Sequence, residues 1–312
     1  MAHLPASGTQ HTLRRGACEV VVASVGASLR SFTHSGRDLV VPFDADEVRP
    51  AYRGATLAPW PNRVVDGRYA FGGTEQQLPL TEPERGHALH GLAAWLDFEP
   101  VDKGPDHVTL AATVEPQTGY PWRVRVQTTF ALGDDGLTQT VRAQNLSAGP
   151  VPFGTGPHPY LVAGEGTVDD WTLELPASEV LSVTPDRLVP TTLGPVDEAF
   201  DFRAPRAIGA TEIDHAFTGL APGDDGVTTV RVTAADGRGA GIAWDAACSW
   251  VQVHTADRPD GAADPSHRIG LAVEPMTCAP DAFNAPRYGF DTGLLVIEPG
   301  ATAEASWRIF AI

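Results

Sequence analysis

The sequence has few cysteines, few basic residues and no long apolar run. Its three cysteines, Cys18, Cys248 and Cys278, are widely separated and lack metal-ligand spacing, so neither a disulfide framework nor a metal cluster is expected. Lysine and arginine number 22 against 39 acidic residues, and the net charge of −17 disfavours nucleic acid and anionic membranes as partners. No run approaches the ~20 apolar residues of a membrane span. Residues 1–16 lack a signal-peptide core, so we expect a cytoplasmic protein.

Alternating hydrophobicity indicates β-structure. Residues 122–132 alternate apolar and polar side chains, which is typical of a half-buried strand. Residues 133–136 predict a turn, and residues 137–145 predict the partner strand of a hairpin. No segment carries the pattern of a long, capped amphipathic helix. We therefore predict an all-β chain, a single domain over residues 1–312, folded as a large antiparallel β-sandwich.

Further short segments between Gly-, Pro- and Asp-rich turns also predict strands. They are residues 19–24, 68–71, 107–114, 171–175, 227–233, 241–244, 250–254, 269–273, 294–297 and 303–310. The strand over 269–273 ends immediately before Glu274, so that carboxylate is expected at a strand end.

Glu274 enters a loop that prolines constrain. Pro275 follows it directly and Pro280 comes five residues later, so the backbone is restrained, as the position of a general base requires. A Glu-Pro pair taken alone is more commonly a solvated loop. The interpretation of Glu274 as a base therefore depends on the other clusters in the chain.

Three such clusters favour an acid–base site. His90 is followed by a glycine, which lets the backbone approach a ligand closely. His158 stands between two prolines, a restraint that suits an acid with a fixed direction. Asp214 precedes a histidine between apolar residues and is placed to hold a polar ligand. Each cluster alone is weak, because a lone loop histidine is more commonly structural or solvated.

Together with Asn62-Arg63, these clusters resemble the aldose 1-epimerase (galactose mutarotase) family, in the order that the family uses. The resemblance covers about residues 15–310 and rests on six ordered motifs. They are Asn62-Arg63 with Gly67 and Tyr69, Leu89-His90-Gly91, Gly119-Tyr120-Pro121, the His158 segment, Asp214-His215-Ala216-Phe217, and Glu274 with Pro280-Asp281-Ala282-Phe283-Asn284.

The resemblance implies a galactose mutarotase-like supersandwich that interconverts the α and β anomers of a free aldose, without a cofactor or a metal. It implies that Glu274 is the base that deprotonates the C1 hydroxyl and that His158 is the acid that protonates the ring oxygen. By the same resemblance, His90 hydrogen-bonds near the ring oxygen, and Arg63 and Asp214 hold sugar hydroxyls. The expected partner is a monosaccharide, and the expected state is a monomer or homodimer.

This division of roles requires an ionised Glu274 and a protonated His158. Ordinary pKa values of ~4.3 for glutamate and ~6.5 for histidine lie close to that requirement. The sequence therefore predicts a bell-shaped pH profile in which Glu274 sets the acidic limb and His158 the basic limb.

Some positions depart from the family pattern. Trp122 stands where a glycine is common, and Gly156-Pro157 precedes His158 in place of an Asn-His pair. These departures resemble the broader bacterial branch and leave the preferred sugar open. His254 stands where tyrosine is common, and we expect a structural role for it.

Three other functions compete with a mutarotase. A non-catalytic sugar-binding protein would need no acid–base pair. A glycoside hydrolase would need a second carboxylate beside Glu274, and Asp214 is the only serious partner. An epimerase for an anionic sugar, such as a hexose 6-phosphate or a sulfonated hexose, needs extra cations, for which Arg49, Arg53, Arg63 and Arg85 are candidates. Trp60, Trp95 and Trp122 are the aromatic candidates for the pocket.

Overall fold

A computed structural model describes residues 4–312, which form short strands and five short 3₁₀ helices. In chain order the strands are β1 (Gln10–Arg15), β2 (Cys18–Ala23), β3 (Ser28–His34), β4 (Arg37–Asp38), β5 (Thr56–Leu57), β6 (Arg63–Val65), β7 (Arg68–Phe71), β8 (Thr74–Gln77), β9 (His87–Leu89), β10 (Glu99–Lys103), β11 (His107–Val114), β12 (Val124–Gly133), β13 (Gly136–Asn145), β14 (Val151–Phe153), β15 (Gly156–Pro157), β16 (Tyr160–Leu161), β17 (Thr172–Glu174), β18 (Ala177–Val183), β19 (Pro190–Pro195), β20 (Arg206–Ala207), β21 (Asp214–Leu220), β22 (Thr228–Thr233), β23 (Gly239–Trp244), β24 (Trp250–His254), β25 (Leu271–Met276), β26 (Leu295–Ile297) and β27 (Thr302–Ala311). The 3₁₀ helices are Pro50–Tyr52, Ala93–Trp95, Val168–Asp170, Gly261–Ala263 and Ala282–Arg287. Across residues 4–312, no helix has the length and hydropathy needed to cross a membrane.

Two large antiparallel sheets make up the sandwich. The first has nine strands in the order β10-β11-β12-β13-β27-β23-β22-β17-β20, and the second has six in the order β16-β25-β24-β21-β18-β19. Side chains of both sheets, such as Phe130 of the first and Val251 of the second, belong to one buried cluster. The predicted all-β sandwich is therefore confirmed.

The predicted hairpin is β12 paired with β13. The pairing runs from Val124 opposite Asn145 to Gly133 opposite Gly136, without a register shift. Alternate β12 residues, including Val126 and Phe130, are buried, because a period-two pattern sends every second side chain into the core. The strand starts two residues later than predicted, at Val124, and leaves Trp122 half-buried outside it.

Alternation in the six-stranded sheet determines where polar side chains gather. Val251 and Val253 of β24 and Val273 of β25 pack into the main core. Gln252 of β24 lies opposite Glu274 of β25, so both side chains project from the other face of the sheet. That outward face is where the candidate site is built.

Glu274 lies inside β25, so the expectation that it follows the strand was wrong. Val273 and Thr277 donate their amides to the carbonyl oxygens of Pro159 and Thr155. Pro275 lies midway between these donors, so its missing amide faces the same side and the ladder to β24 remains intact. A proline at this position therefore does not end the strand.

All the other predicted strands are present, and further strands were missed. The predicted bounds match for β7, β11 and β24, and they shift by one to three residues for the rest. The polar strand β1 was missed because an edge strand carries little hydrophobic alternation. The longer strands β3, β10, β18, β19 and β21 and most of the strands of two to four residues were also missed. The segment around Asp214 is the start of β21.

The core of the nine-stranded sheet gives a stability prediction. Phe130 is fully buried at the middle of β12, so Phe130→Ala should lower the free energy of unfolding by about 3–5 kcal/mol through lost transfer energy and an unfilled cavity. Val101→Ala, on the exposed strand β10, should change it by less than about 0.5 kcal/mol. Denaturant titrations measure both values. Equal effects of the two substitutions would contradict the assigned core.

Candidate active site

The site centres on a buried histidine and a buried glutamate. His158 Nε2 lies 3.5 Å from Glu274 Oε1, and the two side chains are 6 % and 2 % exposed. No other described pairing of an imidazole with a carboxylate is as deeply buried in residues 4–312. An acid and a base are thus held side by side, largely shielded from water.

The backbone around His158 is fixed on both sides. Gly54 donates its amide to the His158 carbonyl oxygen at 2.8 Å, and β15 pairs with β5 just before the histidine. Gly156 is required there, because a Cβ at this position would lie 2.7 Å from the Pro275 carbonyl oxygen. The short strand β15 therefore packs directly against β25 and brings His158 to Glu274.

His90 reaches the pair from an unusual backbone conformation. Its φ is +59°, and that of Asn62 is +54°. The His90 amide donates a hydrogen bond to the Asn62 carbonyl oxygen at 2.8 Å. Asn62 tolerates this region well, and its Oδ1 accepts the Arg63 amide at 2.8 Å. Gly91 follows because a side chain there would clash with the Ala58 carbonyl oxygen. The backbone conformation at these positions therefore explains why asparagine precedes Arg63 and why glycine follows His90.

The tautomer of His90 follows from one hydrogen bond. The Asn62 amide donates to His90 Nδ1 at 3.2 Å, so the proton of the neutral ring is on Nε2. The His90 ring meets the His158 ring edge-on, with centroids 4.8 Å apart. His90 is thus a fixed hydrogen-bond donor beside the acid–base pair.

Arg63 is held through its backbone and its side chain. The Asp281 amide donates to the Arg63 carbonyl oxygen at 2.7 Å, and Asp281 Oδ1 accepts the Val65 amide at 2.8 Å. The guanidinium forms an ion pair with Glu82, and both side chains are almost buried. Asp281 also accepts hydrogen bonds from Asn284 and Tyr288, which gives the predicted Asp281-to-Asn284 motif a structural role.

Asp214 lies on the same sheet face as Glu274. Gln252 Nε2 donates to Asp214 Oδ1 at 2.6 Å, and His254 Nδ1 lies 4.0 Å from that oxygen. His215, the other half of the predicted Asp-His pair, packs instead on Phe200, with ring centroids 4.6 Å apart. His254 therefore lies on the face of the sheet that carries the site, and the structural role expected for it stays a prediction.

Of the three tryptophans considered from the sequence, only Trp95 lies at the edge of the site. Trp60 is 3 % exposed and packs in the core, and Trp122 packs against Phe71. Trp95 is 51 % exposed and lies 5.8 Å from Tyr52 by ring centroids. Tyr52 in turn lies 4.6 Å from His90, so Trp95 and Tyr52 form an aromatic rim.

Three buried polar atoms around the pair have no hydrogen-bond partner. They are His158 Nδ1, Glu274 Oε2 and Gln252 Oε1. An unpaired buried polar atom is costly, and such atoms mark places where a polar ligand makes the missing bond. Gln252 and Glu274 are opposite each other in the β24–β25 register. Their free oxygens offer two acceptors to the hydroxyl groups of one small molecule.

Burial shifts the acid–base pair toward its neutral forms. Burial raises the pKa of Glu274 well above its ordinary value, the negative charge of Asp214 adds to the rise, and Arg63 opposes it. Burial lowers the pKa of His158, and the positive charge of His254 lowers it further. A single shared proton therefore favours Glu274 over His158, which reverses the order expected from ordinary pKa values.

His90 and Asp214, which lie beside the pair, each have one defined protonation state. Burial lowers the pKa of His90, and the charges of His158 and Arg63 lower it further, so the ring is neutral. For Asp214, burial raises the pKa, but His254, Arg63 and the Gln252 hydrogen bond outweigh it and the pKa is lowered. Asp214 is therefore an ionised hydrogen-bond acceptor.

His90, His158 and Glu274 are also the groups that come closest to a metal-binding set. Their ligand atoms lie within 4.8 Å of one another. A metal-ligating histidine donates its second nitrogen's proton to an acceptor. His90 does the opposite, because its Nδ1 accepts the Asn62 amide and its Nε2 carries the proton. This donor set suits the hydroxyls of a sugar better than a cation.

Sizeable cavities lie away from the acid–base pair. A cavity of about 750 Å³ is lined by Arg68, Tyr69, Ala70, Glu75, Gln76, Gln77, Phe283, Asn284, Pro286 and Arg287. It shares no lining residue with the acid–base site. Cavity size alone does not point to the candidate site here, whereas the buried pair and its unpaired polar atoms do.

The structure brings the five site residues predicted from the sequence into one region. They are Glu274, His158, His90, Arg63 and Asp214. Sequence reasoning missed Gln252, Tyr52 and Glu82. It also missed Tyr160, whose ring centroid lies 5.2 Å from that of His158. The alternation of β24 carried a signal for Gln252, because a polar residue between Val251 and Val253 points away from the core.

Comparison with known proteins agrees with the fold and with the family resemblance of the sequence. The family model described as aldose 1-epimerase matches residues 9–309. The uncharacterized protein YihR of Escherichia coli K12 is 34 % identical over 312 residues, with 99 % of this chain and 96 % of YihR covered. Galactose mutarotase of Mus musculus is 31 % identical over 180 residues, 54 % of this chain and 50 % of that protein.

Solved structures share the fold. The crystal structure of an aldose epimerase homologue from C. elegans superposes with a TM-score of 0.82 at 19 % identity, covering 97 % of this chain and 99 % of that one. Galactose 1-epimerase from Lactobacillus acidophilus superposes with a TM-score of 0.76 at 18 % identity, covering 97 % and 94 %. With the family model matched along nearly the whole chain, the protein belongs to the aldose 1-epimerase family.

Proposed function

We propose that the protein is an aldose 1-epimerase that interconverts the α and β anomers of a free aldose. The observation that carries the proposal is the buried His158–Glu274 pair, 3.5 Å apart and surrounded by unpaired polar atoms. Opening a cyclic hemiacetal requires one group to take the C1 hydroxyl proton and another to protonate the ring oxygen. This pair supplies both groups at one place.

Ring opening moves one proton across the pair through the sugar. Glu274 takes the proton of the C1 hydroxyl, and His158 gives its proton to the ring oxygen as the C1–O5 bond breaks. The charged pair thereby becomes neutral, and the open aldehyde is bound. Rotation about C1–C2 presents the other face of the carbonyl, and reversal of both transfers closes the ring as the other anomer.

Burial favours this chemistry in one direction and opposes it in the other. In a buried site, a neutral carboxyl and a neutral imidazole have a lower free energy than the corresponding ion pair. The complex with the open-chain sugar, in which both groups are neutral, is therefore stabilised relative to the complex with the closed sugar. Before ring opening, the shared proton must lie on His158. Hydrogen bonds from sugar hydroxyls to Glu274 Oε2 support that arrangement by stabilising the carboxylate.

The remaining polar groups hold the sugar. His90 Nε2 donates a hydrogen bond beside His158, and the ionised Asp214 accepts hydrogen bonds from sugar hydroxyls. Arg63 donates hydrogen bonds to hydroxyl oxygens. Trp95 and Tyr52 offer aromatic faces at the rim. A hydrolase is less well supported, since the group 3.5 Å from Glu274 is the imidazole of His158 and not a second carboxylate.

A second candidate substrate is an anionic aldose. Of the arginines considered from the sequence, Arg49 is buried among backbone carbonyl oxygens, and Arg63 and Arg85 both bind Glu82. Arg53 remains: it donates to the Pro42 carbonyl oxygen at 3.2 Å, directly after Tyr52. Arg258 lies near it and donates to the Ser266 hydroxyl at 3.1 Å.

These two arginines act on the same edge of the site. The Tyr160 hydroxyl donates to the Ala51 carbonyl oxygen, and its ring lies 5.2 Å from that of His158. Burial raises the pKa of Tyr160, and the charges of Arg258 and Arg53 oppose the rise. Among the described contacts neither guanidinium forms an ion pair, so both have capacity for a phosphate or sulfonate on the sugar.

The first prediction tests the acid–base pair. Glu274→Gln keeps the size of the side chain but removes the base, so anomer equilibration should slow by about 10²-fold or more while sugar binding persists. His158→Asn should act similarly from the acid side. The measurement is proton NMR of freshly dissolved pure anomers, neutral and anionic, with and without protein.

The matched control is Glu298→Gln, a substitution of an exposed glutamate that should leave the rate unchanged. Wild-type rates in both site variants would refute the assigned roles. A wild-type protein that binds sugars but accelerates none of the anomers would favour the sugar-binding alternative, and cleavage of a glycoside would favour a hydrolase.

The pH profile gives a second prediction. The pH profile of kcat/KM should be bell-shaped. When the pair carries two protons, Glu274 cannot act as a base, and when it carries none, His158 cannot act as an acid. Since the pKa of Glu274 is raised and that of His158 lowered, the acidic limb should follow His158 and the basic limb Glu274. Carboxyl ionisation has a smaller enthalpy than imidazole ionisation. The basic limb should therefore move little with temperature, and a large imidazole-like shift would contradict this order.

The anionic candidate gives a third prediction. If the substrate carries a phosphate or sulfonate, Arg53→Gln and Arg258→Gln should each raise KM for that sugar about tenfold and weaken its salt dependence, without changing turnover of a neutral aldose. Arg123→Gln removes an exposed arginine paired with Glu115 and serves as the control. An unchanged KM for anionic sugars in both variants would eliminate this candidate.

A further inference from the structure

Glu82 holds the Arg63 side chain through both ends of its fork. Arg63 Nε donates to Glu82 Oε2 at 2.8 Å, and Nη2 donates to Oε1 at 2.9 Å. The side chains are 10 % and 11 % exposed, which is far less than in the surface arginine pairs such as Arg123–Glu115. Such a two-point contact fixes the plane of the guanidinium. Nη1 has no described partner and is left for a ligand.

Glu82 is itself fixed by a closed turn. Its amide donates to the His87 carbonyl oxygen at 3.0 Å, and its carbonyl oxygen accepts the amides of Gly86 at 2.8 Å and His87 at 3.2 Å. Gly86 has φ of +71°, which allows the chain to turn this tightly. Arg85 adds a second cation on Glu82 Oε1 at 2.9 Å. The turn leads into β9, which pairs with β6 at Arg63 and precedes His90.

The charge of Arg63 acts on the acid–base pair. Burial is the largest influence on the pKa values of Glu274, Asp214 and His90, and the positive charge of Arg63 acts on all three in the lowering direction. For Glu274 it opposes the rise that burial causes. The guanidinium is therefore within electrostatic reach of all three groups. Glu274 is faced by Asp214, His254, His158, His90, Arg63 and Tyr160. Arg63 is the one among them that carries a permanent positive charge.

We propose that Glu82 is a positioning residue of this site, which orients the Arg63 guanidinium toward the sugar and compensates its charge beside Glu274. The inference rests on the proposed epimerase function. Glu82 has no described hydrogen bond to the acid–base pair or to the unpaired polar atoms. Its side-chain partners are Arg63 and Arg85, and of these two Arg63 is the one whose charge reaches the pair. Its role has two separable parts, the geometry of the fork and the neutralisation of charge.

Two substitutions separate those parts. Glu82→Gln keeps the length and one acceptor but removes the charge, so Arg63 acts on Glu274 uncompensated and lowers its pKa. The basic limb of kcat/KM, which follows Glu274, should then move to lower pH, and KM should rise about tenfold with the loss of a charged hydrogen bond. Glu82→Asp keeps the charge and shortens the side chain. It should raise KM while the basic limb stays at the wild-type pH.

The controls make each outcome decisive. Glu115→Gln breaks the exposed pair with Arg123 and should change neither KM nor the pH limb. Thermal unfolding of each variant shows whether it is folded, and Glu82→Asp carries the test of geometry if Glu82→Gln is not. Wild-type kinetics in Glu82→Gln, or wild-type KM in Glu82→Asp, would overturn the proposal. A wild-type protein that does not equilibrate anomers would instead overturn the proposed function.

Discussion

The burial of an imidazole and a carboxylate 3.5 Å apart, with unpaired polar atoms on each, is the constraint on which the rest of the site depends. In a buried site the charged forms of both groups are high in free energy, and the state with one proton shared between the two groups is the most stable one. Ring opening of a hemiacetal moves one proton from acid to base through the substrate. The environment that penalises the ion pair is therefore the one that stabilises the open-chain intermediate.

The fold imposes this arrangement through strand alternation and a few special backbone positions. Val251, Val253 and Val273 face the core, so Gln252 and Glu274 necessarily face outward on adjacent strands. The walls of the site come from loops, where Asn62 and His90 adopt positive φ and so direct side chains that a regular strand would not. Rigid sheet residues supply the base, and strained loop residues supply the donors around it.

The sequence predicted the all-β class, the β12–β13 hairpin and the five residues that the structure brings together, because alternation and ordered motifs are local signals. It placed Glu274 after the strand because proline usually ends one, and the direction of the missing amide is visible only in the sheet. It ordered the pKa values of Glu274 and His158 by their ordinary values, and burial reverses that order. Burial could not be predicted, since it depends on packing between distant segments. Nor could sequence reasoning find Glu82, because its contact with Arg63 joins positions 19 residues apart with two strands between them.

The most direct test of this account is the titration of Glu274 itself. Carbon NMR of the protein labelled at glutamate side-chain carboxyls, compared with Glu274→Gln, isolates the one resonance that belongs to Glu274. The account predicts that this carboxyl titrates well above the ordinary glutamate pKa, because burial and Asp214 outweigh Arg63. A Glu274 resonance that titrates at or below the ordinary value would contradict the shared-proton mechanism, whatever the rate of anomer exchange.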